Sequence, residues 1–370
     1  MREGWNCGDR GVSAHTSWIL VFPSNLIDTA RVFDHKPVRR ESIMRTARVI
    51  AVDRDLYTVR PAGGEDIQAR LSGRFRHEAE DATKLPCVGD SVAVEISGEV
   101  CVIHDVLPRD TVLRRKRPGK DIDFQLIAAN IDVAFIVQGC HFDFNVRRLD
   151  RYLVVCRDGR IRPVIVLSKT DLVREHDLAG MIQKIREAGI DAEILGISNV
   201  SGEGLNRFID MLEPGLTYCL LGSSGVGKTT LINRLLGTDY ETQACSATGE
   251  GIHTTTRRQL IEMDNGAYLV DTPGMRELGI VDADDGISES FSNIADLAAE
   301  CRFSDCTHTH EPGCAVRGSV DDGELASYHK LVRESERNAQ TYHERRQADR
   351  QFGKQCKEIM KQKMKPRGTS

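Results

Sequence analysis

No stretch of this 370-residue chain is apolar for long. The roughly 18 apolar residues in a row that a membrane helix needs are missing. Near the start, Trp18–Phe22 is apolar for five residues and stops at Pro23. That is too short for a signal-peptide core, and no small-residue cleavage site follows. The chain is therefore expected to be soluble and cytoplasmic, with no membrane partner. An internal repeat is missing as well. So is an even cysteine count: there are eleven, which argues against a disulfide framework and for a metal site. Cys7, Cys87, Cys101, Cys140, Cys156, Cys219, Cys245 and Cys356 are scattered, several in strand-like apolar runs where a thiol acts as a small hydrophobe. The other three lie between 301 and 314.

Apolar residues at 40% and charged residues at 28% are ordinary for a globular protein and exclude a disordered chain, a fibre or a coiled coil. The length suits two to three domains. Net charge is only −5, but it is uneven. Lys330–Ser370 carries twelve Lys/Arg against five Asp/Glu, and a basic tail on an acidic body points to a polyanionic partner.

Residues 1–43 hold both tryptophans and little periodicity, and read as an irregular extension. Short alternating runs follow: Arg48–Val52, Leu56–Arg60, Ile67–Leu71, Asp90–Ile96, Val100–Val106 and Thr111–Leu113. They predict a small β-barrel over 44–113. Arg114–Lys120 is basic, contains Pro and Gly, and reads as part of a linker over 114–121. Beyond it, buried strands alternate with helices: Ile131–Val137, Val146–Cys156, Pro163–Leu167, 177–188, Ile194–Ile197, Leu205–Leu212, Leu216–Leu221 and 228–236. A hairpin follows around Asn265-Gly266. Such alternation predicts an α/β layer with a mainly parallel sheet. Residues 286–350 read as helices interrupted by the Cys/His cluster.

Gly222-Ser223-Ser224-Gly225-Val226-Gly227-Lys228-Thr229 fits the phosphate-loop pattern, after a strand and at the start of a helix. Glycines let backbone N–H groups face phosphate, and the helix dipole adds positive potential. Lys228 is expected on the β- and γ-phosphates and Thr229 on Mg²⁺. Thr230 completes the loop's binding set. Downstream, Asp271-Thr-Pro-Gly274 supplies a candidate Mg²⁺ partner and a γ-phosphate N–H. Between them, Gly249–Thr256 is a candidate switch, with Thr256 closing over Mg²⁺.

Ser168-Lys169-Thr170-Asp171 is similar to the Asn-Lys-x-Asp that reads guanine. A carboxylate at 171 accepts from guanine N1–H and the exocyclic amine, whereas adenine leaves it unpaired. Ser at 168 in place of Asn predicts the loss of a purine or phosphate-loop contact. Ser198-Asn199 is similar to the Ser-Ala base loop, with Asn199 where Ala is usual. In Ras-like proteins the phosphate loop precedes these elements; here it follows them, so the order is circularly permuted. A permuted chain keeps its sheet if the original termini lie close together.

This arrangement resembles the YjeQ/RsgA family of circularly permuted GTPases. Its markers are Gly-Ser-Ser-Gly-Val-Gly-Lys-Thr, Gly-Ile-His-Thr-Thr-Thr, Asp-Thr-Pro-Gly-Met-Arg-Glu and Cys-Arg-Phe-Ser-Asp-Cys-Thr-His. The resemblance spans about 44–340. It implies an N-terminal OB-type β-barrel over 44–113, a permuted P-loop GTPase domain over 122–280, a helical zinc-binding domain over 281–345 and a basic tail over 346–370. It also implies GTP hydrolysis stimulated by the 30S small ribosomal subunit, contact with its 16S rRNA, and a chain acting as a monomer.

Cys301, Cys306 and Cys314, with a histidine between them, suit closed tetrahedral Zn²⁺. His308 and His310 compete for the fourth position, and the family pattern implies His308. Met275 stands where Ras-like proteins orient water with Gln, and a thioether cannot do so. His253, beside the threonine run, is the nearest titratable candidate for catalysis, and the family points the same way. A P-loop metabolic kinase is the competing reading, but the chain shows no basic lid insertion. A non-catalytic zinc and barrel RNA-binding module is a third.

Overall fold

The computed structural model describes residues 43–339, apart from 54–55, 80–82, 99, 117–123, 238–257 and 272–282. The side chains of Ile43, Lys116 and Asp271 also lie outside the description.

The first alternating runs form β1 (Ile43–Asp53), β2 (Leu56–Pro61), β3 (Ile67–Leu71), β4 (Ser91–Ser97) and β5 (Val100–Val106). Their order is β1-β2-β3-β5-β4, with β4 returning to β1. Closure removes the free edges that an open sheet would expose. β3 and β5 run parallel and the other barrel pairs antiparallel. A short helix, α1 (Gly73–Glu78), follows β3; its cap Ser72 accepts from the Phe75 N–H at 3.1 Å. This is the OB-type pattern. Every second side chain points inward, so Val49, Val59, Val92, Val94 and Ile103 fill the barrel with no exposure.

The run at 111–113 is not a barrel strand. It opens β6 (Val112–Lys116), which pairs antiparallel with β7 (Phe124–Ala129). The first three residues assigned to a basic linker therefore lie in a strand. The two arginines among them are bonded in place. Arg114 is bonded to Asp158 at 3.1 and 3.2 Å and stacks over Phe124, while Arg115 donates to Gln125.

Next come β8 (Val133–Gly139), α2 (Val146–Asp158), β9 (Arg162–Ser168), α3 (Glu175–Glu187), β10 (Glu193–Ile197), α4 (Leu205–Asp210), β11 (Thr217–Leu221) and α5 (Lys228–Leu236). β12 (Arg258–Glu262) and β13 (Tyr268–Asp271) form the hairpin. The strand order is β10-β9-β8-β11-β13-β12, parallel as far as β13. All seven residues of β8 are buried, because helices cover both faces. Val133, Phe135 and Val137 face α4 and α5 through Phe208 and Leu231. Ala134 and Ile136 face α2 and α3 through Leu149, Leu153 and Ile185.

α6 (Asp284–Ser290) and α7 (Ser292–Ala298) precede the Cys/His loop, and residues 322–339 are helical. Ile287, Phe291, Ile294, Val316 and Leu331 join the same core as α2. Barrel and α/β layer also share a sheet: β12 pairs antiparallel with β1 through Gln259–Ala51 and Arg258–Val52.

Candidate nucleotide site and metal centre

Among the described residues, the candidate nucleotide-binding loops leave the carboxyl ends of the parallel strands, where open α/β sheets bind ligands. β9 leads into 168–171, β10 into 198–199, β11 into 222–229, and β13 ends at Asp271. The permuted order does not matter to this geometry, because sheet neighbours rather than chain neighbours bring the loops together.

The phosphate loop is a tight turn made by glycine. Gly222 has φ 141°, and a Cβ there would sit 2.2 Å from the Val137 carbonyl. Gly227 has φ 98° and starts α5. The Lys228 ammonium rests on the Gly222 and Ser223 carbonyls at 2.7 and 2.5 Å. Thr229 and Thr230 occupy the first turn of α5.

Ser168 is 1% exposed, and its hydroxyl donates to the Val226 carbonyl at 2.7 Å. The phosphate-loop contact expected to be lost with the asparagine is thus present, made by a shorter side chain. Asn199 reaches the adjacent carbonyl, with Nδ2 donating to Gly227 O at 3.2 Å. The Ser198 hydroxyl donates to Asp171 Oδ1 at 2.5 Å and accepts from the N–H groups of Val200 and Ser201. Asp171 is exposed and its carboxylate is aimed by that serine. Lys169 takes a left-handed conformation, φ 62° and ψ 38°, before the 3-10 turn Thr170–Leu172. For a non-glycine this strain costs about 1 kcal/mol or more and clusters at functional sites. Behind the loop, burial pushes the Cys140 thiol up to about 11, with the Asp171 charge adding to it.

Two neighbours of the phosphate loop escaped the sequence reading. Arg148, on the first turn of α2, donates to Ser223 Oγ at 2.8 Å and pairs with Asp143. Tyr152, one turn on, is buried; burial raises the pKa of its hydroxyl, with Ser223 acting against that shift. Neither sits in a recognisable motif; the only signal was their place on a helix after a buried strand. His253, Thr256 and Gly274 lie outside the described residues, as does the side chain of Asp271.

The second cluster joins Cys301, Cys306, His308 and Cys314, whose ligand atoms all lie within 4.8 Å of one another and could hold a metal ion. His308 Nδ1 is 3.6 Å from Cys301 Sγ and 3.5 Å from Cys314 Sγ. Burial lowers the pKa of His308, which favours the neutral ring that ligates. Backbone N–H groups of Ala315 and Arg317 point at Cys301 and Cys314 sulfurs at 3.3 and 3.4 Å, which suits thiolates. His310 is exposed and bonded to Thr309 instead. Glu311, absent from the sequence reading, pins the loop by accepting from the N–H groups of Thr307, Thr309 and His310. The Thr307 hydroxyl and backbone amides hold its carboxyl well below the usual range.

Known proteins match this arrangement. The family described as RsgA GTPase matches residues 106–281, a span that begins at the last residue of β5 and takes in all the candidate nucleotide loops. A small ribosomal subunit biogenesis GTPase RsgA from Opitutus terrae is 43% identical over 306 residues, covering 78% of this chain and 83% of that protein. The crystal structure of YjeQ from Thermotoga maritima aligns at TM-score 0.60 and 27% identity, over 79% of this chain and 98% of that one. YloQ, described as a circularly permuted GTPase, aligns at TM-score 0.56 and 25% identity, over 79% and 95%.

Proposed function

Because the chain belongs to the RsgA GTPase family, we propose that it hydrolyses GTP as a nucleotide-dependent switch in late maturation of the 30S subunit. One observation carries the site reading: both base-reading loops hydrogen-bond directly to the phosphate loop, at Val226 and Gly227. On this reading, base and phosphate recognition would form one site although the chain order is permuted.

Asp171, with Lys169, Thr170, Ser198 and Asn199, would read guanine. Gly222 to Gly227 would offer N–H groups to the phosphates, and Lys228 would neutralise the charge that builds as water attacks the γ-phosphorus and the bond to the β-phosphate oxygen breaks. Thr229, Thr256 and Asp271 are the candidates to hold Mg²⁺, which when bound would neutralise phosphate charge. Gly274 would offer an N–H to the γ-phosphate. His253 is the candidate to orient the water. With no Gln at 275, turnover is expected to be slow alone and stimulated by the subunit. The relatives named above are GTPases, which favours this reading over a metabolic kinase.

The Cys301, Cys306, His308, Cys314 set would hold one structural Zn²⁺. A tetrahedron with Zn–S bonds of about 2.3 Å has S···S edges of about 3.8 Å. Cys301 and Cys314 sulfurs are 4.0 Å apart. Four protein ligands leave no open position for catalysis. The small-subunit RNA, 16S rRNA, is the proposed polyanion, gripped by a monomer. The test is GTP turnover with and without purified 30S subunits. Strong stimulation is expected; an equal rate with and without subunits would overturn the assembly-switch reading.

A further inference from the structure

The base-reading tetrapeptide lacks an amide at 168, yet an amide is present one strand away. Asn199 leaves the end of β10 and donates to the Gly227 carbonyl at 3.2 Å, next to the Val226 carbonyl that Ser168 takes at 2.7 Å. The approach is close: a methyl on Gly227 would lie 3.1 Å from Asn199 Nδ2. Arg234, on the last turn of α5, donates to the Asn199 backbone carbonyl, so residue 199 is held to both ends of the helix that the phosphate loop opens. Asn199 Oδ1 is buried without a hydrogen-bond partner among the described residues. Burying that acceptor costs free energy, which alanine would not incur, so the amide needs a reason to be there.

The reason lies in the chain of contacts that follows. Gly227 holds Asn199, the preceding residue Ser198 holds the Asp171 carboxylate at 2.5 Å, and Asp171 is the group that would accept from guanine's exocyclic amine. We propose that Asn199 is a positioning residue for guanine selectivity, adding from the second base loop an amide tether beside the one hydroxyl bond that Ser168 makes to the phosphate loop, so that the distance from phosphate cradle to Asp171 is fixed. The inference rests on the GTPase-site reading given above.

GDP and IDP separate the possibilities. They share phosphates and ribose, but IDP lacks the exocyclic amine, so their affinity ratio reports the grip of Asp171. Dissociation constants for both are measured with the full-length wild type, Asn199→Ala, and Asn199→Ala combined with Ser168→Asn. In Asn199→Ala, GDP affinity should fall about fivefold, the effect of one neutral hydrogen bond. The GDP-over-IDP preference should fall with it, while the thermal midpoint stays put. Adding Ser168→Asn should restore much of the preference. A residue that only packs would weaken GDP and IDP alike, so an unchanged ratio in Asn199→Ala overturns the proposal, even if the double variant does not fold. A folded double variant with the ratio still low overturns the shared task of positions 168 and 199. A wild type that binds ADP as well as GDP would instead remove the site reading itself.

Discussion

Ser168 is the residue whose role depends most on the fold around it. In the sequence it departs from a pattern; in the structure its hydroxyl does for the phosphate loop what a longer amide was expected to do. Identity at one position could not reveal this, because the distance to Val226 is set by how β8 spaces β9 from β11 in the sheet. Lys228, Gly222 and Asp171 were legible, because their chemistry depends on local spacing. Two outcomes follow at this scale. Asp171→Asn should weaken GDP binding by about tenfold or more and shift preference toward xanthine nucleotides, whose 2-oxo group seeks a donor. Competition binding with GDP and XDP measures it, and unchanged GDP affinity would remove Asp171 from the base site. Gly222→Ala forces a Cβ to 2.2 Å from the Val137 carbonyl at φ 141°. It should cost about 2–4 kcal/mol of stability, read as a lower urea midpoint, and impair nucleotide binding.

Elements were legible where burial is continuous. β8, β9 and β11 are apolar on both faces and announce themselves as central parallel strands. The β6–β7 hairpin was not, since Arg114 and Arg115 look like solvated linker until Asp158, Phe124 and Gln125 are brought beside them by packing. The same limit hid the pair that ties the 83–90 loop to the segment after β5. There Asp90, fully buried, takes two 2.7 Å bonds from Arg109, which also donates to the Thr83 and Leu85 carbonyls. Arg109→Met would strand a buried carboxylate and two carbonyls, and should cost about 3–5 kcal/mol in chemical denaturation. The three thiols of the metal loop were legible from cysteine spacing and His308 from the family pattern, but not Glu311, which shapes the backbone beside His308. One zinc per chain is expected from elemental analysis of gently purified protein. The double variant Cys301→Ser with Cys306→Ser should lose it and become protease-sensitive between 301 and 317. Retained metal in that variant would dismiss these ligands.

At the scale of the molecule, both flanking domains are joined to the nucleotide site by packed seams. On one side β12 begins at Arg258, two residues after the threonine run, and pairs with barrel strand β1. Arg60 of the barrel pairs with Glu262, and Arg48 donates to Thr217 and stacks over Tyr268. On the other side, α2 touches the phosphate loop through Arg148 and Tyr152 and carries the Cys/His domain along its length. Asp150 accepts from Ser327, Arg151 pairs with Glu334, and Gly286 of α6 packs so closely that a Cβ would lie 2.5 Å from the Val154 carbonyl. In the sequence, that domain is joined to the nucleotide site by the chain following Asp271. The shared core with α2 adds a second route, and it does not depend on the loops that follow Asp271. A γ-phosphate that orders loops beside β12 and α2 can bias both domains only if the two nucleotide states differ in affinity for the same partner. Binding is reciprocal, so a subunit that prefers the GTP state must tighten the GTP analogue by the same factor. Subunit affinity is therefore expected to be highest with a non-hydrolysable GTP analogue and lower with GDP or no nucleotide. It should be measured at one fixed salt concentration, because phosphate contacts make RNA affinity steeply salt-dependent. Equal affinity in all three states would rule out the switch while leaving GTP hydrolysis intact, and the two seams would then serve only to hold the domains in place.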